Sequence, residues 1–313
     1  MRYIVRKLAM LAVTLLLVSV VAFLAFQIIP GDPTTKILGT GATPEKVAAL
    51  REELGLNGSF AARYFRWLGG FLRGDPGVSY NYRVPVSELL HDKLPVTLCL
   101  TALSFLLTVV ISVPVGVRLA WRANTWEDRF FSALNQIFMS VPPFFIGILF
   151  TYLFGLILKW FTPGEFVPHA ESAWRYWCYL FFPALAIAIP KSTMVVKLLR
   201  GNILAEYGKD YARTAYSRGS DTAGVIRRHL LRNALLPVVT FLAYTLADIA
   251  AGSIIVEQVF SVPGLGRLLM SSIGNRDYPV VQAIVVILAF LVIAVNTLAD
   301  IVNQFLDPRL RLR

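Results

Sequence analysis

The sequence predicts an all-α, polytopic membrane protein with six transmembrane helices and both termini in the cytosol. Hydrophobic residues make up 56% of the chain and the mean hydropathy is +0.63, well above the usage of soluble proteins. Several apolar runs reach the roughly 20 residues that a membrane helix needs. The predicted cytosolic segments hold sixteen Lys and Arg residues, whereas the short outer loops hold four. The net charge of +11 therefore follows membrane sidedness and indicates no nucleic acid partner.

The first apolar run, Leu8–Ile29, follows three basic residues and is too long for a signal-peptide core, so we expect a retained helix with its N-terminus inside. Residues 30–95 are amphiphilic and are predicted to form an extracytoplasmic subdomain between the first two membrane helices. Within it, Thr43 and Ser59 suit helix N-caps, and Gly55 suits a helix end.

Residues 96–305 are predicted to form a five-helix core, followed by a cytosolic tail at 306–313. The five apolar runs are approximately Val96–Val117, Leu134–Leu158, Tyr179–Leu199, Leu235–Phe260 and Val280–Phe305. Five prolines are expected to interrupt several of these helices, either as in bundles that surround a pathway or as simple kinks for packing: Pro114, Pro142, Pro143, Pro183 and Pro190.

A basic cytosolic loop at residues 200–237 separates the fourth run from the fifth, and it contains seven Lys and Arg residues. Tyr211–Arg218 has a helix-forming composition, Gly219 can end that helix, and Ser220 or Asp221 can cap the next one. An apolar stripe on the second helix predicts a surface that packs under the membrane domain: Ala223, Ile226, Leu230 and Ala234. We interpret this loop as the contact for a soluble partner, the alternative being a basic segment that binds anionic lipid.

The fifth run and the outer loop after it contain the residues GSIIVEQVFSVPGLG at positions 252–266 and Asn-Arg-Asp-Tyr-Pro at 275–279. Pro263, Gly264 and Gly266 favour a tight return, and three leucines after them favour a short helix at the external mouth. Glu257 is included in this candidate mouth.

Charged and catalytic residue types are scarce within the apolar runs. Asp248 lies near the middle of the fifth run, where it either lines an aqueous pathway or bonds between helices. Lys191 and Lys197 are expected to reach toward the cytosolic interface. The three histidines lack metal-ligand spacing, and no phosphate-binding loop or nucleophile pair is evident. We therefore expect no enzyme, metal site or cofactor in this chain.

The motifs resemble those of permease subunits in binding-protein-dependent ABC importers, in the peptide and nickel branch. The cytosolic loop is similar to the family's coupling loop at Arg213, Thr214, Ala215 and Gly219, followed by Leu236-Pro237. Arg213 stands where the general motif has Glu, and the spacing to Leu236-Pro237 is longer than the general pattern. The outer sequence at 252–266, the Pro-Gly-Asp-Pro at 30–33 and the Asp-Pro-Arg at 307–309 also match, so the resemblance covers nearly the whole chain.

The resemblance implies half of a translocation pathway in the bacterial or archaeal plasma membrane. It also implies a homologous second permease, two ATPase subunits that use ATP and Mg, and an extracytoplasmic solute-binding protein. Di- or oligopeptides are the implied solutes, with nickel or a metal chelate as the alternative. An ion-coupled carrier that uses Asp248 as its titrating group is the alternative of another class.

Overall fold

The computed structural model describes residues 2–28, 33–39 and 42–306. Within this part of the chain the regular elements are helices, apart from an isolated antiparallel bridge between Val78 and Pro85, so the all-α prediction is confirmed. The predicted turn at Pro30-Gly31-Asp32 and the tail at Asp307-Pro308-Arg309 lie outside the described residues. The helices are α1 (Arg2–Ile28), α2 (Pro33–Leu38), α3 (Pro44–Glu53), α4 (Phe60–Leu72), α5 (Val86–Trp121), α6 (Trp126–Ser140), α7 (Pro143–Phe150), α8 (Ala173–Tyr207), α9 (Asp210–Ser217), α10 (Thr222–Val225), α11 (Leu231–Val259), α12 (Leu265–Asn275) and α13 (Tyr278–Leu306).

The described residues contain five helical segments that are long and apolar enough to cross a membrane, and a bent pair brings the number to six. The single spans are Val5–Ala25, Val86–Trp121, Ala173–Tyr207, Thr222–Val259 and Tyr278–Ile301. The bent pair consists of α6 and of α7 with the π-helical stretch Thr151–Ile157 that continues it. The six-helix prediction holds when this pair is counted as one span.

The third predicted run, Leu134–Leu158, is not one straight helix. The chain bends by 98° between Ser140 and Pro143. Val141 is extended, with ψ 124°, because the ring of Pro142 disfavours a helical residue before it. Pro143 then begins α7, where its missing N–H costs no helical hydrogen bond.

The other prolines that were expected to interrupt helices do not do so. Pro114 lies within α5, and Pro183 and Pro190 lie within α8. Both prolines of α8 are buried, so packing against neighbouring helices holds the helix continuous across them.

The chain divides into two compact units, of which the first comprises residues 1–97 and 263–294. In this unit α4 packs along the outer part of α1. Tyr64 and Ser19 share a buried hydrogen bond of 2.8 Å, and the ring of Phe23 meets those of Phe60 and Tyr64 edge-on. The predicted caps are present, since the hydroxyls of Thr43 and Ser59 accept backbone N–H groups of α3 and α4.

A buried carboxylate, Asp277, ties two distant segments of the first unit together. Its oxygens accept the Ser79 hydroxyl at 2.5 Å and the backbone N–H groups of Tyr80 and Asn81 at 3.0 and 3.2 Å. Asp277 is fully buried, and a charge in that position is stable only when hydrogen bonds replace its hydration. The preceding residue, Arg276, has φ +57°, which turns the chain sharply from α12 into α13.

The second unit comprises residues 98–262 and 295–313, and its core lies along α8. α8 packs closely on α5 at Gly116, where an added Cβ would lie 3.0 Å from Leu199. Near the cytosolic end of α8, Arg200 donates from two nitrogens to the buried carboxylate of Asp128 on α6, at 2.8 and 2.7 Å. One apolar cluster of this core consists of Ala120, Val195, Leu199, Ile203, Ala212, Ala215, Val225, Ile226, Leu230, Ala234, Val238 and Leu242.

Replacing Asp277 with Ala should loosen the segment at 79–81, because three buried or half-buried donors lose a charged acceptor. We expect the free energy of unfolding to fall by about 1–3 kcal/mol, measured as a lower melting temperature of the purified protein in detergent. Proteolysis near Arg83 should also become faster. Asp92→Ala is the matched control, since Asp92 is exposed and lies 3.9 Å from His91. Equal melting temperatures for the two variants would contradict the proposed tie.

Candidate functional site

The cytosolic segment between α8 and α11 folds as helix, turn and helix, as its sequence predicts. α9 ends at Ser217, and Gly219, two residues later, has φ +85°. The N–H of Gly219 bonds to the Tyr216 carbonyl at 2.9 Å, and that of Ser220 bonds to the Ala215 carbonyl at 3.3 Å. This pair of bonds is a Schellman cap, which requires a left-handed residue at the position of Gly219. Of the two residues predicted to cap the next helix, it is Asp221 whose carboxylate accepts the N–H of Gly224.

One face of this segment is apolar and buried, and the other is polar and exposed. Ala212 and Ala215 of α9 belong to the same buried cluster as Ile203 of α8 and Ile226. On the outer face the side chain of Arg213 is 75% exposed and reaches Asp210 only at 3.9 Å. The following residue, Thr214, is exposed as well. The segment therefore presents a cationic and polar surface on an apolar base.

A group of polar side chains fixes α9 against its neighbours. The Glu206 carboxylate near the end of α8 accepts from the Tyr211 hydroxyl and from Lys209, the latter at 2.6 Å. Asn233 of α11 donates to the Tyr211 oxygen at 3.2 Å. Burial, and then the hydrogen bond to Glu206, raise the pKa of Tyr211, so this hydroxyl stays a donor at neutral pH. Three helices thus meet at one phenol group.

The second helix of the segment is not a separate short helix, which corrects the expectation from the sequence. α10 continues through a π-helical stretch, Ile226–Leu230, directly into α11. Pro237 lies inside α11 and does not end the helix. The reason is that the predicted apolar stripe continues along α11, with Ala234 and Val238 both buried, so packing outweighs the hydrogen bond that proline removes.

Asp248 forms an ion pair across two helices, with Lys191 of α8. Lys191 had been expected to reach the cytosolic interface instead, and no feature of the local sequence indicates a pair of residues on separate spans. The side chain of Asp248 is nevertheless 62% exposed in this chain, whereas that of Lys191 is 19% exposed. Asp248 is thus bonded between helices and also faces outward from the second unit.

In the second unit, the predicted mouth residue Glu257 is fully buried at the end of α11. The chain then turns through Ser261, which has φ +57°, and the N–H of Val262 bonds to the Glu257 carbonyl at 2.9 Å. The Tyr179 hydroxyl of α8 donates to the Phe260 carbonyl at 2.5 Å. Glu257 is therefore part of the packed end of α11 and is not an exposed charge.

In the first unit, the predicted mouth residues Pro263, Gly264 and Gly266 surround the start of α12. Gly264 is the N-cap, and the N–H of Leu265 donates to the Thr97 hydroxyl at 2.8 Å. The three leucines that were expected to anchor a short helix are buried, as predicted: Leu265, Leu268 and Leu269.

Three polar contacts were not predicted from the sequence: Lys191 with Asp248, Arg200 with Asp128, and Ser79 with Asp277. A local signal existed for Asp128 alone, because Thr125 caps α6 and accepts its backbone N–H. Among the described residues, no group of three or more His, Cys, Asp and Glu residues is arranged to hold a metal ion.

Two family models match the chain in succession. Residues 112–312 match the inner membrane component of binding-protein-dependent transport systems, and residues 1–101 match the N-terminal part of the membrane component of such systems. Together the two matches cover the first predicted membrane helix, the outer subdomain and all of the five-helix core except residues 102–111.

Curated relatives match over almost their whole length. The chain is 34% identical to a probable peptide ABC transporter permease of Sinorhizobium fredii, over 99% of both chains. It is 36% identical to a putative peptide transport system permease of Brucella abortus, over 98% of both. A glutathione transport system permease of Salmonella paratyphi A is 34% identical over 99% of both.

A solved structure supports the same fold. The MetNI methionine ABC transporter, in an inward-facing conformation, superposes with a TM-score of 0.57 at 22% identity, over 70% of this chain and 96% of its own. The family matches, the full-length relatives and the helical membrane fold agree. The chain thus belongs to the family of inner membrane components of binding-protein-dependent transport systems, and is a multi-pass permease subunit of an ABC importer.

Proposed function

We propose that this subunit forms half of the translocation pathway for di- or oligopeptides. The observation that carries the substrate class is its full-length similarity to permeases described for peptides and for glutathione. A homologous second permease supplies the other half of the pathway, and an extracytoplasmic binding protein delivers the solute. Two ATPase subunits hold the ATP and Mg. Import of nickel or a metal chelate would use the same architecture, and the named solutes of these relatives favour peptides.

The cytosolic segment from α9 to α10 is the proposed docking surface for an ATPase subunit. Its apolar base is buried against α8, and its outer face exposes Arg213 and Thr214. Because α10 runs without a break into α11, a displacement of this surface moves a membrane-spanning helix directly. Closure of the ATPases would then shift the bundle between inward and outward openings, as alternating access requires.

Asp248 and Lys191 are the proposed charged groups of the pathway. Asp248 remains largely exposed although it is paired, and a carboxylate at this depth of a span is stable where it faces water or a cation. A zwitterionic peptide carries both signs of charge and can approach such a pair without an excess charge on either side. An ion-coupled carrier would place the titrating group here too, but the family membership favours ATP-driven import.

The membrane orientation can be tested by labelling single cysteines with an impermeant maleimide in spheroplasts. The native Cys99 and Cys178 are first replaced by Ala, since Cys178 is exposed. Asn57→Cys, in the outer subdomain, should react at once, and Ser217→Cys, at the end of α9, should react only after the membrane is opened. Both positions are exposed, so a difference in labelling reports the side of the membrane and not burial within the chain. Labelling of Ser217→Cys in sealed spheroplasts would exclude the docking proposal.

Gly219→Val should uncouple transport, because a β-branched residue strongly disfavours φ +85°. Space is not the limitation, since an added Cβ at Gly219 meets no atom within 4 Å. Solute-stimulated ATP hydrolysis and uptake in liposomes should fall about fivefold or more, a loss equivalent to ~1 kcal/mol. Assembly of the complex should persist.

Gly201→Val is the matched control for this variant. Gly201 lies in α8, where an added Cβ likewise meets nothing within 4 Å and φ is not positive. Gly219→Asn should retain most of the activity, because Asn tolerates the left-handed region better than Val. Normal coupled hydrolysis and uptake in Gly219→Val would show that this turn does not transmit force.

The role of the Asp248 charge can be separated from a purely structural role with a neutral pair. Asp248→Asn alone leaves a poorly exposed Lys191 unpaired, whereas Lys191→Gln/Asp248→Asn removes both charges together. If the carboxylate serves the solute, the double variant should assemble normally and import peptide about tenfold more slowly, equivalent to ~1.4 kcal/mol. Uptake is compared for a dipeptide and for nickel at matched ATPase activity.

Wild-type uptake by the double variant would remove Asp248 from the pathway and leave it as an interhelical contact. A severe loss for nickel with a small loss for the dipeptide would favour a cationic solute instead of a peptide. Lys197→Gln is the control for removing one charge from the same helix, since Lys197 is exposed.

A further inference from the structure

The first unit contains a cavity of about 500 Å³ that none of the transport roles explains. Its wall is formed by α4, by the turns at residues 53–56 and 75–80, and by the first residues of α13. This volume lies within the range of small-molecule sites in proteins. The polar and charged side chains in its lining include Arg63, Arg66, Trp67, Arg83, Glu53 and Asp75.

The acidic residues of the lining are already engaged. An oxygen of Asp75 accepts the backbone N–H of Gly77 at 3.0 Å, which holds this carboxylate to its own turn. Glu53 lies 3.9 Å from Arg83, and both side chains are more than half exposed, so this pair is weak. The cavity lining therefore contains three guanidinium groups and two carboxylates, and one of these carboxylates, that of Asp75, is hydrogen-bonded to the backbone.

Arg66 lines the cavity and is exposed to solvent, so its guanidinium is accessible to a ligand. It makes no ion pair or hydrogen bond with the part of the chain that the structure describes. Its guanidinium lies beside Gly55, where an added Cβ would be 3.3 Å from the Nη1 atom. Gly55 has φ +63° at the end of α3, so the same glycine that ends the helix leaves room for the guanidinium at the cavity wall.

A buried aromatic donor indicates that this cavity is incompletely filled. The indole N–H of Trp67 is buried and has no hydrogen-bond partner among the described residues. Buried donors are usually satisfied, so an unmet donor beside a cavity is typical of a place where a bound molecule or water completes the bonding.

We propose that this cavity binds an oxyanion, either the carboxylate of a small solute or the phosphate of a lipid headgroup, with Arg66 as its principal ligand. A guanidinium presents parallel N–H groups that match either anion in two-pronged geometry. Arg63 and Arg83 add positive charge on the same wall. Most of the lining lies on the segment predicted to be extracytoplasmic. Asp248 belongs to the second unit, so the proposed site is distinct from the Asp248 pair.

The test uses the whole permease complex, labelled with 5-fluorotryptophan and purified in a maltoside detergent that contains neither carboxylate nor phosphate. The Trp67 fluorine resonance is assigned by its absence in Trp67→Phe. One arm adds glycylglycine, with glycylglycinamide as the control that lacks the carboxylate. The other arm adds short-chain phosphatidylglycerol, with the matching diacylglycerol as the control that lacks the phosphate.

We expect one arm to shift the Trp67 resonance in a saturable manner, and that arm identifies the source of the oxyanion. Arg66→Gln should weaken the binding about tenfold or more, because a charge-assisted contact is lost. Arg66→Lys should weaken it less. Arg73→Gln is the matched control, since Arg73 caps the same helix and does not line the cavity.

Three results would overturn the proposal. The first is an unchanged Trp67 resonance in both arms, and the second is equal binding by Arg66→Gln and the wild type. The third is an equal shift with glycylglycinamide or diacylglycerol, which would show that the oxyanion is not recognised. Because binding is measured without ATP and without uptake, a failure here leaves the transport proposal intact.

Discussion

Each end of an α-helix leaves backbone N–H or carbonyl groups without helical partners, and these groups must be satisfied by other atoms of the chain or by water. This chain satisfies them with one recurring device, a left-handed residue just after the helix. Gly219 serves α9, Ser261 serves α11 and Arg276 serves α12, and in each case the next residue bonds back to the last turn. The cytosolic turn and the two outer corners are all built on this device. The proposed docking surface and the Asp277 tie therefore depend on backbone geometry before any side chain is considered.

α8 is the helix around which the second unit is arranged. In the most apolar 18-residue part of α8, 67% is buried, whereas the corresponding parts of the other single spans are 17 to 44% buried. It carries two cations that pair in different ways. Arg200 makes a two-pronged contact with the buried Asp128, and Lys191 pairs with the largely exposed Asp248. Removing one partner of the first pair leaves a buried charge, while the second pair borders an open surface. The same helix thus provides a structural ion pair near the cytosol and an accessible one deeper in the span.

The sequence predicted well what neighbouring residues determine, and poorly what distant residues determine. Thr43 and Ser59 cap their helices, and Gly219 takes the left-handed turn, because such caps depend on a few adjacent residues. The Asp248 ion pair joins residues 57 apart in sequence, and the Asp277 tie spans 198, so no local pattern indicates either. Pro142 and Pro143 were expected to interrupt the third run and do so, but the sequence did not predict the 98° angle of the bend. Among the candidate site residues, exposure of Arg213 and burial of Ala215 follow from helical spacing, but burial of Glu257 does not.

The π-helical stretch at Ile226–Leu230 has a consequence for the length of the cytosolic segment. A π turn accommodates one more residue than an α turn, and successive residues of an α-helix are rotated by about 100°. The stretch therefore absorbs one residue while α10 and α11 keep their phase about the helix axis. Deleting a single residue within it would restore regular α geometry and leave Val225, which is fully buried, on the same face. Deleting a residue from the regular part of α11 would instead rotate α10 by about 100° and take Val225 off the surface that it covers. The π-helical stretch is thus the place in this segment where the chain length can change by one residue without turning the cytosolic surface.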